Sequence, residues 1–130
     1  MKITIDNFKI TSRFTGMHAA LWDDTNFNHH SIFVTNAENQ KTTSFSFWGS
    51  RMHPEIETEY DLGNAFYCFV EDAIAGMQTF GDFCADFGYD TDSRKAERTW
   101  KACKRSAEKL QWIYSGDLYD LANELGELYA

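Results

Sequence analysis

The spacing of apolar residues changes period once along this chain, at its single proline, Pro54. Upstream, Ile3 and Ile5, then Phe8, Ile10, Ser12 and Phe14, follow a period of two, which is the signature of strands with one buried face. Ser31 to Thr35 and Thr43 to Trp48 are β-branched and aromatic runs separated by Asn36-Ala37-Glu38-Asn39-Gln40, a spacing that predicts a hairpin with a loop of about four or five residues. His18 to Trp22 offers a further strand, and Asp23 to His30 reads as a polar loop. An antiparallel sheet of three or four strands follows, apolar on one face.

Downstream the period becomes helical. Leu62, Phe66, Phe69, Val70, Ala73, Ile74 and Met77 recur at three- and four-residue spacing, with Gly76 at the end of the stripe. Thr79-Phe80-Gly81-Asp82 resembles a capping box with Asp in place of the usual Glu or Gln. It opens a short helix whose apolar residues are Phe80, Phe83, Cys84 and Phe87, stopped by Gly88. Asp90-Thr91-Asp92-Ser93 offers several caps for the longest helix, with Asp90 and Asp92 favoured; its seam is Ala96, Trp100, Cys103, Ala107, Leu110 and Tyr114. Ser115-Gly116 ends it, and Asp117 caps a last helix that turns Leu118, Leu121, Leu125 and Leu128 inward. Strands followed by helices without alternation predict an α+β fold. The expected architecture is an N-terminal antiparallel sheet of three or four strands followed by a bundle of three or four helices, one domain over 1–130 with its sheet in 1–50 and its helical part in 55–130.

A chain of 130 residues that is 43% hydrophobic and 16% aromatic can bury a core without disulfides or a structural metal, so disorder is excluded. Cys68, Cys84 and Cys103 are odd in number and form no C-x-x-C pair, as suits a reducing compartment; all three lie on or beside apolar stripes, where core packing is expected. The first residues lack a signal-peptide apolar region, and no run approaches membrane-spanning length, so a soluble cytoplasmic protein is expected.

Charge is sorted along the chain. Residues 52–93 hold ten carboxylates and no lysine or arginine, and residues 94–109 hold seven of the twelve basic side chains. Either the two segments neutralise one another on folding, or they remain opposed faces that steer a partner. With a net charge of -8, general attraction to free nucleic acid is disfavoured.

Glu55, Glu57, Glu59 and Asp61 alternate with Ile56, Thr58 and Tyr60. An extended segment would project all four carboxylates from one side at intervals of about 6.8 Å, like a short row of phosphates. Alternatively, they sit in the first turn of the following helix, where its dipole favours negative charge. Asp82 and Asp86 share a helical face at a spacing that repels, so packing or a partner must offset the cost. The loop from Asp86 to Asp92 lacks the ligand order and terminal glutamate of a calcium-binding hand. Arg94, Arg98, Lys101 and Arg105 run along one helix face at spacings of four, three and four. Such a stripe can track phosphates, or it can be a solvated face paired with Glu97, Glu108 and neighbouring acids.

Enzyme signatures are thin. His18, His29, His30 and His53 lie in predicted loops or strand ends without the i, i+4 spacing of a helical zinc site, and no phosphate-cradling glycine loop occurs. No catalytic residue, no metal and no cofactor is expected.

Asp82-Phe83-Cys84-Ala85-Asp86-Phe87-Gly88-Tyr89-Asp90-Thr91-Asp92-Ser93-Arg94-Lys95-Ala96, leading to Thr99-Trp100-Lys101-Ala102-Cys103, resembles small proteins encoded by bacteriophages and prophages. The likeness covers roughly residues 60–115 and leaves the sheet outside it. Small acidic phage proteins include inhibitors of host defence, anti-CRISPR proteins among them, and the resemblance implies that class; its members share no motif, so no binding residue carries over. The expectation is an inhibitor that binds a host nucleic-acid enzyme, such as a CRISPR effector, and blocks its nucleic-acid channel or PAM-reading surface by charge complementarity. Its contacts would be Glu55, Glu57, Glu59, Asp61, Asp82 and Asp86. The alternative is a phage accessory protein that binds nucleic acid through Arg94, Arg98, Lys101 and Arg105.

Overall fold

Alternating sequence upstream of Pro54 produces four strands, β1 (Lys2–Ile5), β2 (Phe8–Ala19), β3 (Asn26–Asn36) and β4 (Lys41–Ser50), in a computed structural model that describes residues 2–5, 7–19, 26–50 and 59–129. Helical spacing downstream produces α1 (Glu59–Gly76), α2 (Phe80–Phe87), α3 (Arg94–Ile113) and α4 (Leu118–Tyr129). The fold is therefore α+β, with an N-terminal four-stranded antiparallel sheet followed by four helices. Two compact units divide the chain, one Met1–Phe66 with Tyr129, the other Tyr67–Leu128, so that α1 begins in the first and ends in the second.

In the first unit every strand pairs antiparallel with its sequence neighbour, in the order β1-β2-β3-β4. Ile10 faces Val34, and Val34 faces Thr43, so these three side chains share one side of the sheet; all are buried. Ile5, Phe8 and Ile32 are buried as well, whereas Lys9 and Phe33 are exposed. The alternation that encodes the strands thus also selects the core face. Phe8 packs on Phe66 at the end of this unit's helical segment, ring centroids 5.3 Å apart and tilted by 58°, a favoured aromatic arrangement. Tyr129 joins this unit with its ring over Gly63.

The β3–β4 hairpin closes through four residues, Ala37 to Gln40, with Gln40 in the left-handed region at φ 60°. Asparagine side chains build the turn: Asn36 Oδ1 accepts the Glu38 amide at 3.0 Å and Asn39 Oδ1 the Lys41 amide at 3.0 Å. Glu38 also accepts Asn7 Nδ2 at 2.7 Å, and the Ala37 amide donates to the Asn7 carbonyl at 2.7 Å, tying this turn to the β1–β2 turn.

Two expectations for the sheet change. Asn26 to His30 belong to β3, paired with β2 through Phe27 opposite His18 and His30 opposite Phe14, rather than to a loop. Ladder hydrogen bonding with an established neighbour outweighs the low strand preference of Asn. His18, His29 and His30 accordingly lie within strands, and His30 is buried. His18 and Ala19 extend β2 instead of starting a new strand; residues 20–25 and 51–58, with Pro54 and His53, lie outside the described residues.

In the second unit the core gathers Ala75, Phe83, Cys84, Ala96 and Cys103, with Phe80, Tyr89 and Trp100 packed against it. Thr79 caps α2 by accepting the Asp82 amide at 3.2 Å, and Gly88 ends it at φ 71°, a conformation that glycine adopts without strain. Gly76 serves close packing instead. A Cβ there would stand 2.2 Å from the Cys103 backbone, so only a bare backbone lets the end of α1 approach α3 this closely. Ser93, not Asp90 or Asp92, caps α3, its Oγ accepting the Ala96 amide at 3.1 Å. Asp117 caps α4, accepting the Tyr119 amide at 2.8 Å. The last helical residue of α3 is Ile113, before Ser115-Gly116, and Ile113 is itself buried.

The helical stripes overrun the packing at their ends. Met77 is 48% exposed just beyond α1, Phe87 55% in the last turn of α2, and Leu128 60% near the end of α4. Trp100 and Tyr114 are half-buried rather than enclosed. Cys84 and Cys103 are buried as expected, but Cys68 is exposed, because it lies two residues from Phe66 and so falls off the buried face of a helix with 3.6 residues per turn. All three thiols are free.

Candidate functional site

The last turns of α1 carry four residues that its apolar stripe does not use: Tyr67, Cys68, Glu71 and Asp72. Apolar burial of Phe69, Val70 and Ala73 turns the intervening positions outward. The caps at Thr79, Gly88 and Ser93 then set α2 and α3 beside this surface, and the three helices line an open cavity of ≈ 320 Å³. Its walls come from Cys68, Glu71, Asp72 and Ala75 of α1, Phe83 and Phe87 of α2, Tyr89 beyond the α2 cap, and Thr99 and Cys103 of α3. A second hollow of ≈ 440 Å³ shares Glu71, Ala75 and Phe87 with the first and continues to Gln78, Asp86 and Tyr119. Phe87 and Tyr119 leave 55% and 57% of their surface in solvent there.

The electrostatics of the cavity are those of crowded negative charge. Asp72 has its carboxyl raised above the usual carboxylate range, first by burial against the cavity wall and then by Glu71 beside it. Burial also raises the Tyr67 hydroxyl, which donates to Glu71 and is held protonated by that carboxylate. Cys68, exposed overall but with its thiol partly desolvated against the cavity wall, and the buried Cys103 shift upward for the same reasons, desolvation first, with Glu71 and Asp72 adding to Cys68 and Asp72 adding to Cys103. Raised thiols remain protonated and are poor nucleophiles at neutral pH. Among the described residues no group of three or more His, Cys, Asp or Glu side chains is arranged to hold a metal ion.

The expected acidic contacts fall into different places. Glu55 and Glu57 lie outside the described residues. Glu59 opens α1 and Asp61 lies in its first turn, so an extended row of carboxylates does not run through them; helix formation from residue 59 replaces the period of two. Asp61 belongs to the first unit, whereas Asp82 and Asp86 sit exposed on α2 in the second. Asp86 accepts a hydrogen bond from the Gln78 side chain. Glu71, Asp72, Asp82 and Asp86 form no salt bridge with α3 among the described residues.

The basic stripe is exposed at Arg94, Arg98, Lys101 and Arg105. Lys101 pairs within its own helix, Nζ 2.9 Å from Glu97 Oε1, and this neighbour holds the Glu97 carboxyl below its usual range. Lys104 lies 4.5 Å from the Trp100 ring centroid.

Glu71, Asp72, Phe87 and Tyr89 are the residues that sequence reasoning did not single out as members of a site. The signal available was the position of Glu71 and Asp72 off the α1 stripe; nothing in the spacing announces that α2 delivers two aromatic rings beside them. Among the described residues no helix is long and apolar enough to cross a membrane. In comparison with known proteins, no family model matches the chain, and neither a curated protein nor a solved structure matches it.

Proposed function

We propose that this chain is a binding protein, of the phage-encoded inhibitor class, that occupies a basic nucleic-acid-binding surface on a host enzyme such as a CRISPR effector. One observation carries the reading: Glu71, Asp72, Asp82 and Asp86 lie at the surface of the helical unit and, among the described residues, none forms a salt bridge with the basic helix that follows them. A channel built to hold nucleic acid presents arginines and lysines at close spacing, and surface carboxylates complement it, raising the association rate and selecting against acidic partners. Action is by occupancy, and the reading assigns no catalytic residue.

The test is inhibition of nucleic-acid cleavage by purified, guide-loaded effectors, with wild-type chain and the folded variant Asp82→Lys/Asp86→Lys. Inhibition that weakens with rising salt and is lost in the variant supports the proposal. Undiminished inhibition by the charge-reversed chain would overturn it.

A second reading rests on the exposure of Arg94, Arg98, Lys101 and Arg105 along one face of α3. An electrophoretic shift with short single and double strands separates the two. Salt-sensitive binding lost on neutralising Arg98 and Lys101 favours direct contact with nucleic acid.

A further inference from the structure

Three aromatic rings and two carboxylates line one cavity of the helical unit. Phe83, Phe87 and Tyr89 stand in contact, with centroids 4.9 Å apart for Phe83 and Phe87, and 5.9 Å for Phe83 and Tyr89, whose planes differ by 16°. Phe83 is buried and anchors the group, whereas Phe87 keeps 55% of its surface in water. Aromatic surface is therefore accessible on this wall of the cavity. Glu71 and Asp72 supply the charge on the same cavity.

No lysine or arginine lines it. Two basic side chains of the adjoining helix have other engagements, Lys101 with Glu97 and Lys104 over the Trp100 ring. The remaining polar groups, Cys68, Cys103 and Thr99, are neutral and add no positive charge. A phosphate would meet two carboxylates here, which excludes a nucleic-acid backbone from this cavity. A cation gains from both parts of the wall, from the negative faces of the rings and from the carboxylates.

We infer that this cavity receives an arginine side chain of the partner protein, seated against Phe87 and Tyr89 with its guanidinium directed at Glu71 and Asp72. The inference rests on the proposal that the partner surface is basic. Arginine suits the site better than lysine because its planar head stacks on aromatic rings, is weakly hydrated, and offers five donors in a fork that two neighbouring carboxylates can share. Glu71 retains acceptor capacity beyond the hydrogen bond from Tyr67, since a carboxylate accepts at about four sites. At ≈ 320 Å³ the cavity falls within the range of sites that enclose a side chain or small ligand.

The experiment is an NMR titration of the full chain with N-acetyl-arginine amide, its uncharged isostere N-acetyl-citrulline amide, and N-acetyl-lysine amide. Saturable shifts at Phe87, Tyr89 and Thr99 are expected with arginine, with citrulline weaker by about tenfold or more and lysine between them. Glu71→Gln/Asp72→Asn and Phe87→Ala should each abolish saturation while the remaining spectrum stays that of the folded chain. Equal binding of citrulline, shifts confined to other regions, or undiminished binding by the double variant would overturn the inference. Sedimentation of the chain alone covers the other occupant: self-association that disappears in the double variant would mean that a second copy fills the cavity, and would overturn the assignment to a different protein. Charge reversal on α2 separates this inference from the reading beneath it. If Asp82→Lys/Asp86→Lys abolishes inhibition while no arginine enters the cavity, the basic-partner reading stands and only the arginine site fails.

Discussion

The indole N–H of Trp100 donates to the Gln78 main-chain carbonyl at 3.1 Å, joining the middle of α3 to the connection between α1 and α2. Phe80 packs on the same indole with ring centroids 5.2 Å apart. Trp100 is thus a fixed post rather than a surface ring. Trp100→Phe keeps an apolar ring but leaves the carbonyl without this donor. It should destabilise the fold by about 1–2 kcal/mol, read as a lower denaturant midpoint at unchanged slope.

Gly76 and Gly81 predict opposite signs for the same substitution. Glycine to alanine in a helix ordinarily stabilises by about 0.5–1 kcal/mol. At Gly81 nothing lies within 4 Å of the added Cβ, so Gly81→Ala should show that gain. At Gly76 the Cβ would stand 2.2 Å from the Cys103 backbone, so Gly76→Ala should instead lose about 1–3 kcal/mol as α1 and α3 are forced apart. Thermal melts of the two variants give the comparison.

Ser93→Ala should cost about 0.5–2 kcal/mol by removing the acceptor of the Ala96 amide. Asp92→Ala, one residue earlier, should cost less. Equal losses at the two positions, measured by urea unfolding, would show that the cap is shared.

Asp72 sets a pH dependence with a definite sign. Its carboxyl is raised in the folded chain, so the ionised form is the one that folding disfavours. The unfolded chain releases this proton first, and stability attributable to the group is present below the unfolded carboxylate range and lost as pH rises through the folded value. Asp72→Asn should therefore be more stable than wild type at neutral pH. That advantage should shrink as the pH falls through the raised folded value and be gone below about 4, where the carboxyl is protonated in the unfolded chain as well. Paired melts across this range are the measurement, and a constant difference would contradict the assignment.

Sheet and helices were legible because the period of burial is written directly into residue spacing. Ile10 and Val34 mark the core face of the strands, and Leu62, Phe66 and Phe69 that of α1. Local chemistry was legible where a single residue could act, as at Asp117, and ambiguous from Asp90 to Ser93, where each side chain carries a capping oxygen and backbone geometry selects Ser93. Asn26 to His30 were misread because polar composition speaks for a loop while pairing with β2 depends on the strand across from it. Phe87 and Leu128 continue a stripe in sequence past the point where a neighbouring helix covers it. For the candidate site, the negative charge was visible as composition. Its company was not: Glu71 meets Phe87 and Tyr89 only through the packing of α1, α2 and α3, with Gly76 allowing α1 to approach α3.

The order β1-β2-β3-β4 also bears on how quickly the sheet can assemble. Every ladder joins sequence neighbours, so no strand waits for a distant segment to diffuse into place, and chain-closure entropy stays low throughout. Two residues join β1 to β2 and four join β3 to β4, lengths at which hairpins close in about 1–10 μs. Six residues separate β2 from β3, a connection whose closure costs slightly more. The bridge from Asn7 to Glu38, spanning 31 positions, forms only after these hairpins meet. Connection lengths thus favour closure of the two outer hairpins over that of the β2–β3 ladder, by only a few tenths of a kcal/mol.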